Sequence, residues 1–168
     1  MAELSSQERL QPSLLDRLTD DEPRTLQESR EKRVLSVRQL KECVRRDLAW
    51  LLNTGSLDEV LDLSGLPQVA TSVLNYGMPS LTGASAASTD TVLLERRLRT
   101  ILERYEPRII SNSLLITVTG RDQMSRHALA FEIECDVWAE PVPERLYLKT
   151  EVDLENGAVR MIDRQGRG

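Results

Sequence analysis

Histidine occurs once in the 168 residues, lysine stands only at Lys32, Lys41 and Lys149, and aromatic residues make up 4% of the chain. Each scarcity excludes something. A single histidine, His127, cannot build a His-rich metal cage. With no GxSxG or other nucleophile motif beside it, it reads as a surface or strand-edge residue rather than a general base. The two cysteines, Cys43 and Cys135, have neither CxxC nor Cys/His ligand spacing and fall in segments that read as a helix and a strand. Buried, reduced thiols are expected, not a disulfide or a metal site. No glycine-rich phosphate loop is present, because Gly77, Gly83 and Gly120 are isolated turn glycines, so no nucleotide or other cofactor is expected. The net charge is −5 and the arginines are interleaved with acids, which argues against binding nucleic acid or an anionic membrane. No apolar run approaches the roughly 20 residues of a membrane span, and the start of the chain lacks the basic residues and apolar core of a signal peptide. A cytoplasmic protein without membrane insertion is expected.

With few rings available, a core must come from the aliphatic residues that supply most of the 40% hydrophobic content. The length suits one domain. Residues 1–35 mix Ser, Gln, Pro and alternating charges, with Pro12 and Pro23 interrupting any long helix, and read as an extended arm. Within the arm Leu14, Leu15 and Leu18 take helical spacing behind a capping Ser13, an apolar knob suited to docking. Ser36 opens a stronger helix with Gln39 three residues on and Val37, Leu40, Val44, Leu48 and Leu51 as its apolar stripe. Asn53-Thr54-Gly55 closes it, with Gly55 expected in the left-handed conformation. Pro67 starts a shorter helix through Leu74, stopped by Asn75-Tyr76-Gly77. Residues 78–88 read as a loop. A third helix is capped by Thr89 or Asp90 and buries Leu94, Leu98, Ile101, Leu102 and Tyr105. Pro107 ends it, because proline disfavours helical geometry at Glu106.

From there the period changes to 2. Residues 110–119 and 126–138 read as strands, the second with Leu129, Phe131, Ile133, Cys135 and Val137 on one face and Glu132, Glu134 and Asp136 on the other. Leu146, Leu148, Val152 and Leu154 continue the alternation, and Glu155-Asn156-Gly157 is expected to form a two-residue hairpin turn into residues 158–162. The expected fold is α+β: N-terminal helices packed on a C-terminal antiparallel sheet of about four strands, with residues 36–163 as one domain, the arm before it and a flexible tail at 164–168. The last strand has no successor to cover it. Its open backbone groups are either a place for another chain to add a strand or an edge protected by Glu151, Asp153, Glu155 and Arg160.

Catalytic machinery is nearly absent. Glycoside hydrolysis needs only two carboxylates, and Glu106 is the best single candidate, paired with Glu132 or Asp136. Arg108, two residues on, would keep it ionised, and sugar-stacking rings are few.

Four ordered motifs carry a resemblance: Leu14-Leu15-Asp16-Arg17-Leu18, Leu51-Leu52-Asn53-Thr54, Ser72-Val73-Leu74-Asn75-Tyr76-Gly77-Met78-Pro79, and Tyr105-Glu106-Pro107-Arg108-Ile109 followed by strands. Together they resemble the TssE family of type VI secretion baseplate subunits, which is similar to the lysozyme-like wedge protein of contractile phage baseplates. Ser80 departs from the Asp that many relatives have after the proline. The resemblance implies a non-enzymatic bacterial wedge component that joins TssF and TssG, associates with TssK and helps seed the TssB/TssC contractile sheath at the inner face of the cytoplasmic membrane. It implies partner-binding roles for Glu106, Pro107, Arg108, Leu14, Leu15, Leu18, Tyr76, Val152 and Val159. The alternative it leaves open is a peptidoglycan-cleaving enzyme using Glu106, and a free-standing adaptor is a third reading.

Overall fold

A computed structural model describes residues 13–19, 24, 36–82, 90–119, 128–139 and 142–162. Most of residues 1–35, the 83–89 part of the expected loop, Thr89 as a cap, Gly120, His127 and the 164–168 tail lie outside the described residues. The helices are α1 (Leu14–Leu18), α2 (Val37–Leu52), α3 (Pro67–Ala70) and α4 (Thr91–Tyr105). They are followed by the strands β1 (Leu115–Thr119), β2 (Ala128–Val137), β3 (Glu144–Asp153) and β4 (Val159–Ile162). The strands form one antiparallel sheet in the order β1-β2-β3-β4. Helices come first and an antiparallel sheet follows, the α+β arrangement expected from the change of period.

Local chemistry explains the helix starts. At α2 the Ser36 hydroxyl accepts from the Gln39 N–H at 3.2 Å while Gln39 Oε1 accepts from the Ser36 N–H at 2.9 Å, a reciprocal capping box. A second box closes α1 between Ser13 and Asp16, and the Asp90 carboxylate caps α4 by accepting from the Leu93 N–H at 3.1 Å. Leu40, Val44, Leu48, Leu51 and Leu52 of α2 and Leu94, Leu98 and Leu102 of α4 meet Leu129, Phe131, Ile133, Cys135, Val137, Leu148 and Val152 in one core. Both long helices therefore cover the same face of the sheet. Each such fully buried aliphatic or Phe side chain contributes about 1.5–3 kcal/mol, more than any surface ion pair. Glu132, Glu134 and Asp136 alternate out of this face, and Arg145 bridges Glu134 (2.9 Å) and Asp136 (3.1 Å) on the wet side.

Four local expectations need correction. Gly55 does not take the left-handed conformation, which among the described residues belongs to Gly77 (φ 133°) and Gly157 (φ 74°). The last carbonyls of α2 are satisfied instead by side chains, Asn53 Nδ2 donating to Ala49 O (2.8 Å) and Thr54 Oγ1 to Trp50 O (2.7 Å), so no left-handed residue is required there. The helix after Pro67 stops at Ala70 and resumes as a single 3-10 turn at Val73–Asn75, because the Ser72 hydroxyl caps the Leu74 N–H. A 3-10 turn at Ser111–Ser113 delays β1 to Leu115. The terminal hairpin has a four-residue loop, closed where Asp153 N–H donates to Ala158 O (2.9 Å) and Gly157 N–H donates to Asp153 O (2.8 Å).

Gly77 is obligatory: a Cβ there would collide with the Thr54 carbonyl oxygen, since the Met78 N–H donates to that same oxygen at 2.8 Å. This bond pins the Tyr76–Pro79 stretch against the end of α2. At the centre of the sheet the buried Thr150 hydroxyl has no hydrogen-bond partner among the described residues. Thr150→Val is expected to raise stability by about 1 kcal/mol by removing an unsatisfied buried polar group at nearly constant volume. A shift of the urea midpoint to higher concentration checks it, and an unchanged or lowered midpoint contradicts it.

Candidate functional site

Pro107 stops α4 and leaves Glu106 at its C-terminal boundary, where its N–H still donates to Leu102 O at 2.9 Å and its carbonyl accepts from Ile109 N–H at 3.1 Å. That tight turn folds the Arg108 side chain back onto the Glu106 carboxylate. Nε donates to Oε1 at 2.7 Å and Nη2 to Oε2 at 2.6 Å, a bidentate pair, and the Arg108 N–H adds a third bond to Oε1 at 3.1 Å. Glu106 is 3% exposed. Arg108 Nη2 also reaches Asp47 Oδ2 on α2 at 2.5 Å. Asp47 Oδ1 accepts from Arg46 Nε (2.9 Å) and Nη2 (2.7 Å), and Arg46 Nη2 lies 2.8 Å from Asp16 Oδ1 on α1. Charges of alternating sign thus run Asp16–Arg46–Asp47–Arg108–Glu106 and tie α1, α2 and the end of α4 together.

Electrostatics follow the geometry. Burial alone would lower the Arg108 pKa, but Glu106 and Asp47 outweigh it and hold the guanidinium above its usual range. Burial would raise the Asp16 carboxyl, yet hydrogen bonds from Ser13 and Arg46 keep it below its ordinary value. The phenol of Tyr76 is pushed up by burial, with Asp47 and Glu106 adding to the effect. Both thiols are free and weakly acidic: burial, reinforced by Asp16, takes Cys43 to about 11, and burial takes Cys135 to about 12. Neither supplies a thiolate nucleophile at neutral pH.

Over this salt link lies a groove of about 510 Å³ lined by Leu15, Trp50, Tyr76, Pro107, Arg108 and Trp138 among others. Trp138 is set beside Arg108 because its N–H donates to Arg108 O at 2.8 Å, next to the Ile109–Val137 bridge. Trp50 and Trp138, the only tryptophans in the chain, are 51% and 55% exposed. The Arg46 guanidinium stacks 5.0 Å from the Trp50 ring. Tyr76 meets Tyr105 edge-on at 5.4 Å, and the Tyr105 hydroxyl donates to the carbonyls of Ser72 (3.0 Å) and Asn75 (2.8 Å), fixing the loop that forms one wall.

The structure gathers some of the expected site residues and separates others. Glu106, Pro107, Arg108, Tyr76 and Leu15 meet at the groove. Leu14 and Leu18 are exposed on α1, whose polar side, through Asp16, makes the attachment to α2. Val152 and Val159 lie elsewhere, with side chains buried in the core. Both outward backbone groups of Val159 are already bonded, its N–H to Asn53 Oδ1 (2.9 Å) and its C=O to Asn53 Nδ2 (3.0 Å). Glu132 and Asp136 project from the wet face of the sheet, away from the helices that carry Asp47 and Glu106, so the carboxylate pair considered for glycoside hydrolysis is not assembled. Both Glu106 oxygens are occupied by Arg108, leaving none to hand a proton to a substrate. Among the described residues no group of His, Cys, Asp and Glu could hold a metal ion, and no helix is long and apolar enough to cross a membrane.

Sequence reasoning missed Asp47, Arg46, Trp50 and Trp138. For the tryptophans a signal was present: Trp50 falls off the apolar stripe of α2, and Trp138 has the even parity of the outward residues of β2.

The family model described as baseplate wedge protein gp25 matches residues 38–142, well over half the chain. The matched span includes α2 except its first residue, α4 and the Asp47–Arg108–Glu106 link, and excludes α1 and the whole terminal hairpin of β3 and β4. A comparison with curated proteins finds no match.

Removing Arg108 strands a buried carboxylate, so Arg108→Ala is expected to lower stability by about 3–5 kcal/mol. Combining it with Glu106→Gln should recover part of that loss, with a coupling above about 1 kcal/mol. Urea denaturation of the four proteins in this cycle measures it, and simple additivity would contradict the arrangement.

Proposed function

We propose, from the premise that this chain belongs to the baseplate wedge protein gp25 family, that it is a structural subunit of a type VI secretion baseplate wedge, gripped by neighbouring subunits rather than acting on a substrate. The observation that carries this reading is the groove: two half-exposed tryptophans and Pro107 flank an arginine already fixed in direction by Glu106 and Asp47. Large, rigid, partly exposed aromatics beside an oriented arginine are the composition of an interface hot spot. Arg108 spends Nε and Nη2 on Glu106 and Asp47. Its Nη1 has no hydrogen-bond partner among the described residues, so it can donate to a partner carbonyl or carboxylate without breaking the internal pair.

In this reading TssF and TssG occupy the groove, and the exposed Leu14 and Leu18 of α1 extend the contact as an apolar knob. TssK associates through the same wedge. TssB and TssC are seeded at a sheet edge, with the subunit held at the inner face of the cytoplasmic membrane by the assembled baseplate. The hydrolytic alternative draws no support from the geometry, because Glu106 is enclosed by Arg108 and its expected carboxylate partners face the other way. Arg108→Ala is a poor test of partner binding, since it also perturbs the fold.

Trp138→Ala is the cleaner probe. It should leave the urea midpoint nearly unchanged, because the ring is half exposed, and weaken binding to the cognate TssF–TssG pair at least tenfold, about 1.4 kcal/mol. Unchanged affinity in a titration would count against the groove as the grip.

A further inference from the structure

The Asn156-Gly157 pair that turns the chain into β4 carries chemistry that the groove does not use. An asparagine followed by glycine can lose its amide spontaneously, because glycine has no Cβ to shield its nitrogen from the side chain before it. The Gly157 nitrogen gives up its proton to water and attacks Asn156 Cγ, an N–C bond closes a succinimide ring, and Nδ2 takes a proton back from water and leaves as ammonia. A second water then opens the ring at either carbonyl. The product is aspartate or, where the main chain is rerouted through the side chain, isoaspartate. Water is the only co-reactant.

In the hairpin the groups this reaction must move are all bonded. Asn156 Nδ2 donates to Asp153 Oδ2 at 2.8 Å and Asn156 Oδ1 accepts from Ala158 N–H at 2.8 Å, so the carboxamide is held from both ends. The Gly157 N–H, whose proton must leave, donates to Asp153 O at 2.8 Å. Asp153 also fixes the backbone between them, its Oδ1 accepting from Glu155 N–H at 2.8 Å. One residue therefore holds the leaving group, the nucleophile and the intervening chain. Gly157 sits at φ 74°, and a Cβ there would come within 2.7 Å of Thr82 Oγ1, so a less reactive residue would be strained at this position.

We infer that Asn156 is a site of spontaneous deamidation whose rate is set by opening of the β3–β4 turn, and that Asp153 is the residue that holds the turn shut. The reaction runs in the opened turn, so its rate is that of an unstructured Asn-Gly peptide multiplied by the fraction of time the turn is open. Three hydrogen bonds break on opening, enough to slow the reaction by about tenfold or more. The product does not return to the same turn. A carboxylate at position 156 meets Asp153 and lies beside Glu155, so an attraction becomes a repulsion between like charges. β4, four residues long, then loses the turn that starts it.

The full chain and the synthetic peptide 150–160, warmed side by side at neutral pH, provide the test. Deamidation is read from the mass gain of the tryptic peptide 150–160, located at Asn156 by fragmentation. The folded chain should react at about one tenth of the free peptide's rate or less, and Asp153→Ala should speed it by about fivefold or more. Equal rates in the folded chain and the peptide overturn the lock, and an unchanged rate in Asp153→Ala overturns the role of Asp153. Urea denaturation of the variant gives its unfolded fraction; an acceleration no larger than that fraction accounts for overturns local opening as the gate. The deamidated chain should unfold at a lower urea concentration than its parent, and an equal midpoint overturns the loosening of β4.

Discussion

The position of Arg108 constrains everything around it. A buried ion pair adds little net stability, because desolvation offsets most of the Coulombic gain. What the pair with Glu106 supplies is direction, since a planar guanidinium bonded bidentately cannot rotate. Asp47 then links that fixed group to the middle of α2, and Arg46 carries the link on to α1. The turn at Pro107 aims Arg108 into this line of charges, the backbone N–H of Trp138 on Arg108 O sets that ring beside it, and Asp16 on Arg46 attaches the N-terminal knob.

The same arrangement leaves the hydrolytic reading without an assembled carboxylate pair. Fold similarity is not a site. The carboxylate that would serve as an acid is enclosed by an arginine, and the acids of β2 face solvent on the other side of the sheet. What remains accessible is aromatic and apolar: Trp50, Trp138, Pro107 and the leucines of α1. Such a surface suits a subunit whose role in a baseplate wedge is to be held in one orientation by its neighbours.

Much of the fold was legible in the residues. Ser36 and Gln39 announced the start of α2, the odd-numbered apolar residues of β2 announced its buried face, and Glu106-Pro107-Arg108 drew attention as a unit. Local rules failed where long-range contacts took over. Gly55 looked like a helix terminator, but Asn53 and Thr54 side chains satisfy the end of α2, and Asn53 does so while bonding Val159, 106 residues away. For the terminal strand the residues left both an edge open to a partner strand and an edge protected by its charges, and nothing near it in sequence announces the Asn53 carboxamide bonded to Val159. Asp47 was hidden among the charges of the polar face of α2, indistinguishable by pattern from its solvated neighbours Glu42 and Arg45.

The central claim is that the groove over the Arg108–Glu106–Asp47 link is where the subunit is held. The most direct measurement is fluorine NMR of the chain with both tryptophans labelled as 5-fluorotryptophan, free and in the assembled wedge complex. Solvent-sensitive resonances for Trp50 and Trp138 in the free protein that become protected in the complex are the predicted result. Two resonances that stay as accessible to solvent in the complex as in the free chain would contradict the account.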